Sequence, residues 1–230
     1  MSIAENIDRV RTEIAAAARK AGRNPDEITL VGASKMNDAQ ACRAAIAAGI
    51  DALGENRVQE MLQKLDENAY DGVPLHFIGH LQRNKAKYVV GTVDLIQSVG
   101  SLALIHEIEK AAASKNIIQD ILLEVNIAQE TAKTGFAPSE IFHAAEAALQ
   151  HPHLQVRGLM SIPPANTNRD VNMQYFDRIF TLYVDINEKM FHNKLKCISM
   201  GMSGDYTDAI CAGATIVRVG TAIFGSRHYS

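Results

Sequence analysis

Residues 28–56 read ITLVGASKMNDAQACRAAIAAGIDALGEN, and their order decides the fold. Ile28 to Ser34 is a short apolar run, Asp38 is an N-cap residue opening a helical stretch to Ala48, and Ile50 to Gly54 is a second apolar run. Two short strands joined through a helix form a parallel βαβ unit. The pattern repeats along the chain. Strands are read at Leu75 to Gly79, Leu95 to Val99, Ile121 to Asn126, Val156 to Ser161, Leu195 to Met200 and Thr215 to Gly220. Helical stretches fill the gaps: Ser101 opens one to Ala113, Ser139 opens one to Leu149, and Met173 to Met190 carries a mixed apolar stripe. Eight units with no Pro/Gly/Ser linker and no second zone of composition fit an α/β fold with a closed (β/α)8 TIM barrel. An open doubly wound sheet usually needs fewer strands. One extra helix, in MSIAENIDRVRTEIAAAARKAG, precedes the first strand, and residues 1–230 read as one domain.

The chain has 230 residues, 47% hydrophobic and 21% charged, which is enough apolar material for a substantial core. With 23 Lys+Arg against 26 Asp+Glu and no block of like charge, it offers no electrostatic footprint for nucleic acid. No apolar run approaches the roughly 18–20 residues of a membrane span, and the N-terminal helix carries charges throughout, unlike a signal peptide. A cytoplasmic protein without a membrane partner is expected. Cys42, Cys197 and Cys211 are odd in number and lack C-x-x-C spacing, so they read as small buried hydrophobes rather than disulfides or zinc ligands.

In such a barrel the functional groups sit at the C-terminal ends of the strands, with phosphate commonly held after strands seven and eight. Alternation places Lys35 on the same face as Val31 and Ala33. A lysine partly withdrawn from water there offers a free amine to a carbonyl, whereas the plainer reading is a solvated loop lysine. Arg218 shares its face with Ile216 and Gly220; if that face is interior, the guanidinium is buried and needs partners, which a structural ion pair would also supply. Gly220-Thr221 offers backbone N–H groups and a hydroxyl, and the Ser199 to Ser203 region opens a helix whose N-terminus favours an anion. A tight turn is the plainer reading of Gly-Thr. Asn56 either orients a ligand or caps the next helix; His76 and His80 read as rim residues or as acid/base groups. His151 and His153 lack a third matched ligand and read as solvated loop, so no metal is expected.

SKMN around Lys35, GENRVQE from Gly54 to Glu60, HFIGHLQRNK from His76 to Lys85, RGLMSIP from Arg157 to Pro163, SMGMSGD from Ser199 to Asp205 and VRVGTAIFG from Val217 to Gly225 together resemble one family. It is the pyridoxal phosphate homeostasis protein family, the bacterial YggS and human PROSC group, and the motifs occur in family order over nearly the whole chain. The resemblance implies a fold type III barrel similar to the alanine racemase N-terminal domain, with pyridoxal 5'-phosphate (PLP) held as an internal aldimine. Lys35 matches the Schiff-base lysine and Arg218 the arginine facing the pyridine nitrogen. Gly220 and Thr221 match phosphate-loop positions; Asn56, Ser199 and Met200 fall in cofactor-lining motifs. Leu75 and Arg57 depart from a frequent Trp and a frequent Tyr, at the rim.

An arginine at the pyridine nitrogen disfavours its protonation and weakens the ring as an electron sink. Two-base racemisation also needs a group opposite the lysine. The eight units occupy the chain, and Tyr229, near its end, is poorly placed for that task. The expectation is a monomeric PLP-binding protein that buffers the cofactor or delivers it to apo PLP-dependent enzymes, without efficient turnover. The alternatives are a weak single-domain amino-acid racemase and a cofactor-free Schiff-base aldolase acting on sugar phosphates.

Overall fold

The computed structural model describes residues 1–131, 133–164 and 168–225. Eight parallel strands close in sequence order: β1 (Thr29–Ala33), β2 (Ala52–Glu55), β3 (Leu75–Phe77), β4 (Leu95–Val99), β5 (Gln119–Val125), β6 (Leu154–Ser161), β7 (Cys197–Ser199) and β8 (Ile216–Val219), with β8 returning to β1. Helix α1 (Ile3–Lys20) precedes β1. Each strand is then followed by a helix: α2 (Ala39–Ala47), α3 (Val58–Asp66), α4 (Ala86–Val89), α5 (Leu102–Lys115), α6 (Ile141–Leu149), α7 (Arg169–Phe191), α8 (Tyr206–Cys211) and α9 (Thr221–Phe224).

The strands are apolar on both faces because both are covered. Outward residues such as Leu30, Leu53, Phe77, Ile96, Leu159, Ile198 and Val217 pack in one continuous core with the helices. Inward residues Val31, Ala52, Leu95, Leu122, Met160 and Ile216 form a separate small cluster inside the barrel. Ile216 therefore settles which face of β8 is interior, and Arg218 shares it. The pairing register shifts between Ile96 and Val99 and between Ile121 and Leu122.

Helix α1 buries Ile7, Val10, Ile14, Ala17 and Ala18 against the barrel's helices, and Asn6 Nδ2 donates to the Ile223 carbonyl at 2.8 Å, tying the first helix to the last. All eight expected strands are present; β4 has the expected bounds and the others have shifted ends. β2 starts at Ala52 rather than Ile50 because the intervening Asp51 turns its carboxylate to Arg11 and to the Leu30 N–H, both at 2.7 Å. β7 is only three residues long.

Asp38 and Ser101 cap their helices as the sequence indicates. Ser139 does not: it lies in a 3-10 turn, Pro138–Glu140, and Glu140 reaches back to the Ala137 N–H at 2.8 Å. Helix α7 begins earlier than Met173, where Asn168 accepts from the Asp170 N–H at 2.9 Å. Cys42 is fully buried, and burial pushes its thiol up to about 11; Cys197 and Cys211 are half-buried, and all three are free thiols. Among the described residues, no helix is long and apolar enough to cross a membrane.

Candidate functional site

Polar side chains enter the barrel from β8, β7, β4 and β3 and join into a chain. Arg218 is 3% exposed, and its guanidinium donates to Ser199 Oγ and, at 2.9 Å, to the Ser161 carbonyl. Ser199 Oγ donates onward to Gln97 Oε1 at 2.6 Å, and Gln97 Nε2 lies 2.9 Å from His76 Nδ1. An amide nitrogen can only donate, so Nδ1 accepts. Burial pushes Arg218 down to about 10, while the charges of Glu124 and Asp205 pull it up, so it remains a cation at neutral pH. Among the described residues, these acids act on it without forming an ion pair.

Past Arg218 the chain turns at Gly220 into α9. The N–H groups of Gly220 and Ala222 both donate to Ser203 Oγ, at 3.1 and 3.4 Å, so this loop presents converging donors. Thr221 is exposed beside them. A Cβ on Gly220 would stand 3.5 Å from Ala33, which places the loop against the end of β1. Lys35 follows directly, half-buried in the turn beyond β1. On the other side of β1, the Ser34 N–H donates to the Gly54 carbonyl at 3.0 Å, bringing the end of β2 and Asn56 alongside. Asn56 Oδ1 is buried without a hydrogen-bond partner among the described residues, and Gly79 gives its backbone room, since a Cβ there would lie 2.3 Å from the Asn56 carbonyl oxygen.

Closure thus brings Lys35, Asn56, Arg218, Gly220 and Thr221 to three adjacent strand ends. Among the described residues Arg218 is a buried cation without an ion-pair partner and Asn56 Oδ1 is buried without a donor, so an anionic ligand and a donating group would each find a partner here. Lys35 follows in sequence at the end of β1, the strand between theirs.

Two of the sequence-indicated residues take other positions. Met200 turns its side chain into the outer core, leaving only its backbone for the mouth. Ser199 is fully buried, and its hydroxyl is committed to Arg218 and Gln97, so it supports the arginine from beneath. Asn56 is not the cap of α3, whose N-cap is Arg57. His76 is no rim residue but lies inside the barrel, whereas His80 is exposed. His153 pairs with Glu109 at 2.8 Å. Tyr229 lies outside the described residues. Sequence reasoning missed Gln97, although a glutamine within the apolar run Leu95 to Val99 was its signal.

Two cavities open at opposite ends of the barrel. One of about 1070 Å³ lies at the N-terminal ends of the strands, and its lining includes two ion pairs, Arg11 with Asp51 and Arg157 with Asp120, both at 2.7 Å. The other, about 820 Å³, lies at the C-terminal ends of β3 to β5 and includes His80, Ser98 and Glu124. Burial lifts Glu124 above the usual carboxylate range, against the opposing effects of the Thr134 hydroxyl and the charges of Arg218 and His80. Chemistry in barrels belongs to this second end.

Burial also pushes His76 from 6.5 down to about 4, against the charge of Asp94. The unfolded chain therefore binds a proton that the folded one refuses, and stability falls as pH drops from about 6.5 towards 4. At pH 5 the loss from this group is about 2 kcal/mol relative to pH 7. Urea midpoints at pH 7 and pH 5 should differ more for the wild type than for His76→Asn, whose amide oxygen can still accept from Gln97. An equal difference would show that His76 does not titrate as its burial requires.

The model of the family described as "Alanine racemase, N-terminal domain" matches residues 3–228. A curated relative from Aquifex aeolicus, named pyridoxal phosphate homeostasis protein, is 40% identical over 229 residues, covering 100% of both chains. The structure of PipY from Synechococcus elongatus with PLP bound superposes with a TM-score of 0.85 at 31% identity, covering 97% of this chain and 100% of that one. An alanine racemase from Clostridium difficile shares the fold, with a TM-score of 0.71 at 13% identity; the match covers 98% of this chain and 57% of the racemase.

Proposed function

Because the chain belongs to the pyridoxal phosphate homeostasis protein family, within the alanine racemase N-terminal domain group, we propose that it binds PLP at the C-terminal mouth of the barrel and buffers or delivers it, without efficient substrate turnover. When bound, the cofactor supplies an aldehyde that condenses reversibly with a primary amine, releasing water. Lys35 offers that amine. The hydroxyls of Thr221 and Ser203 would hold the phosphate, with the N–H groups of Gly220 and Ala222 positioning the Ser203 oxygen or turning to the phosphate in its place; Asn56 Oδ1 would accept from the ligand; and Met200 would contribute through its backbone.

The observation that carries this reading is Arg218. Ser199 and the Ser161 carbonyl fix its guanidinium in a buried position, and it has donors only, so it holds a facing ring nitrogen in the unprotonated state. That arrangement would weaken the ring as an electron sink; racemisation tolerates it, but efficient two-base racemisation also needs an acid or base opposite the lysine. The names of the curated relatives likewise describe homeostasis rather than a reaction. We read residues 1–230 as one domain working as a cytoplasmic monomer, consistent with three free thiols, and apo PLP-dependent enzymes as the acceptors.

The test combines transfer and turnover. Loaded protein mixed with an apo PLP-dependent enzyme should restore that enzyme's activity, while chiral analysis of alanine and other amino acids after long incubation shows no racemisation above free PLP. Racemisation at about 1 turnover per second or faster, the low end of ordinary enzyme rates, would replace the carrier with an enzyme. Failure to reactivate the apo-enzyme would remove the delivery role.

A further inference from the structure

Met36, immediately after Lys35, is a non-glycine residue with φ of 62°, in the left-handed region that side chains avoid. Its side chain is 56% exposed, so packing does not impose this conformation. Partners from helix α3 do. Glu60 Oε1 accepts the Met36 N–H, so the peptide following Lys35 is tethered. Lys64 Nζ donates to the Ser34 carbonyl at 2.8 Å, so the peptide preceding Lys35 is tethered as well. The same ammonium donates to Glu60 Oε1 at 2.8 Å and to Glu55 Oε1 at 2.7 Å, which uses all three of its hydrogens.

Glu55 is fully buried behind β2, where its Oε1 also accepts from Ser34 Oγ at 2.6 Å and from Tyr70 OH at 3.1 Å. Burial works against the Lys64 charge, but Glu55 and Glu60 outweigh it and raise the ammonium above its ordinary range. This cluster lies on the outer side of the barrel wall. A buried ion pair behind a strained turn is the kind of arrangement in which surrounding structure holds an unfavourable backbone for a functional purpose.

We propose that Glu60 and Lys64, anchored by Glu55, are positioning residues that clamp the peptide on each side of Lys35 and so aim its amine at the aldehyde. This rests on the assignment of PLP to Lys35. Glu60 is the informative site, because it sits at the edge of the cluster and its loss leaves the Lys64–Glu55 pair intact. Glu60→Ala removes the acceptor for the Met36 N–H, whereas Glu60→Gln keeps an oxygen in its place.

Stopped-flow absorbance after mixing apo-protein with PLP reads covalent attachment, and binding without attachment is read by dialysis in a Lys35→Ala background. A small misplacement of a reacting group slows its reaction by about 10- to 100-fold. Glu60→Ala should therefore attach PLP about 10- to 100-fold more slowly, Glu60→Gln should stay near the wild type, and PLP affinity in the Lys35→Ala background should be the same with Glu60 or with alanine. Equal attachment rates for Glu60→Ala and the wild type would overturn the proposal. So would a matching drop in affinity in the Lys35→Ala background, which marks a general loss of structure, or equal slowing by both Glu60 variants, which marks an effect of charge alone. Borohydride labelling of the wild type at a lysine other than Lys35 would instead remove the assignment on which it rests.

Discussion

Lys35→Ala abolishes covalent attachment of PLP while the barrel stays folded. The side chain emerges from a turn beyond β1 and belongs to neither apolar core, so its removal opens no cavity in either. Arg218, the Gly220 loop and Asn56 remain, so the variant should still bind PLP reversibly, more weakly than the wild type. Borohydride reduction followed by peptide mass spectrometry should place one stable label on Lys35 in the wild type and none in the variant. The wild type should also show a visible absorbance that reduction removes and the variant lacks. A label of wild-type yield in the variant would transfer the covalent role to another lysine.

The second large effect is on the fold. Gly158 pairs with Cys197 where β6 meets β7, and a Cβ there would lie 1.6 Å from the Cys197 carbonyl oxygen and 2.6 Å from its carbonyl carbon. Those are backbone atoms in the barrel wall, and they cannot rotate away as a side chain would. Its φ of 158° adds to the penalty for any side chain. Overpacking ordinarily costs about 1–3 kcal/mol, and a clash this close should exceed about 3 kcal/mol. Gly158→Ala should therefore unfold at markedly lower urea concentration or fail to accumulate. Gly22→Ala is the control, since φ there is 70° but nothing lies within 4 Å of the added carbon. It should cost about 1 kcal/mol. Because Ser199 stands two residues beyond Cys197 and holds Arg218, any Gly158→Ala protein that does fold should also retain PLP poorly. Equal urea midpoints for Gly158→Ala and Gly22→Ala would show that the wall yields at this point.

Much of this protein is legible in its sequence because the relevant signals are local. Short apolar runs alternating with capped helices are properties of neighbouring residues, and eight of them in succession determine a parallel closed barrel. The places of Lys35, Arg218 and Gly220-Thr221 at strand ends were recognisable because strand ends can be counted. What tertiary structure alone decided concerns faces and distant partners. Alternation divides β8 into two sets of residues but does not say which set is interior; closure does, by placing Ile216 inside and Val217 outside. It likewise turned Met200 away from the mouth. Gln97 reaches Ser199 across 102 residues of sequence, and the clamp around Lys35 assembles only when α3 packs behind β1 and β2. A hydrogen bond needs groups within about 3 Å with suitable angles, and for residues far apart in the chain no local periodicity encodes that distance. The sequence by itself determined the barrel and the residues at its strand ends; packing determined which of them turn into the barrel and what holds them there.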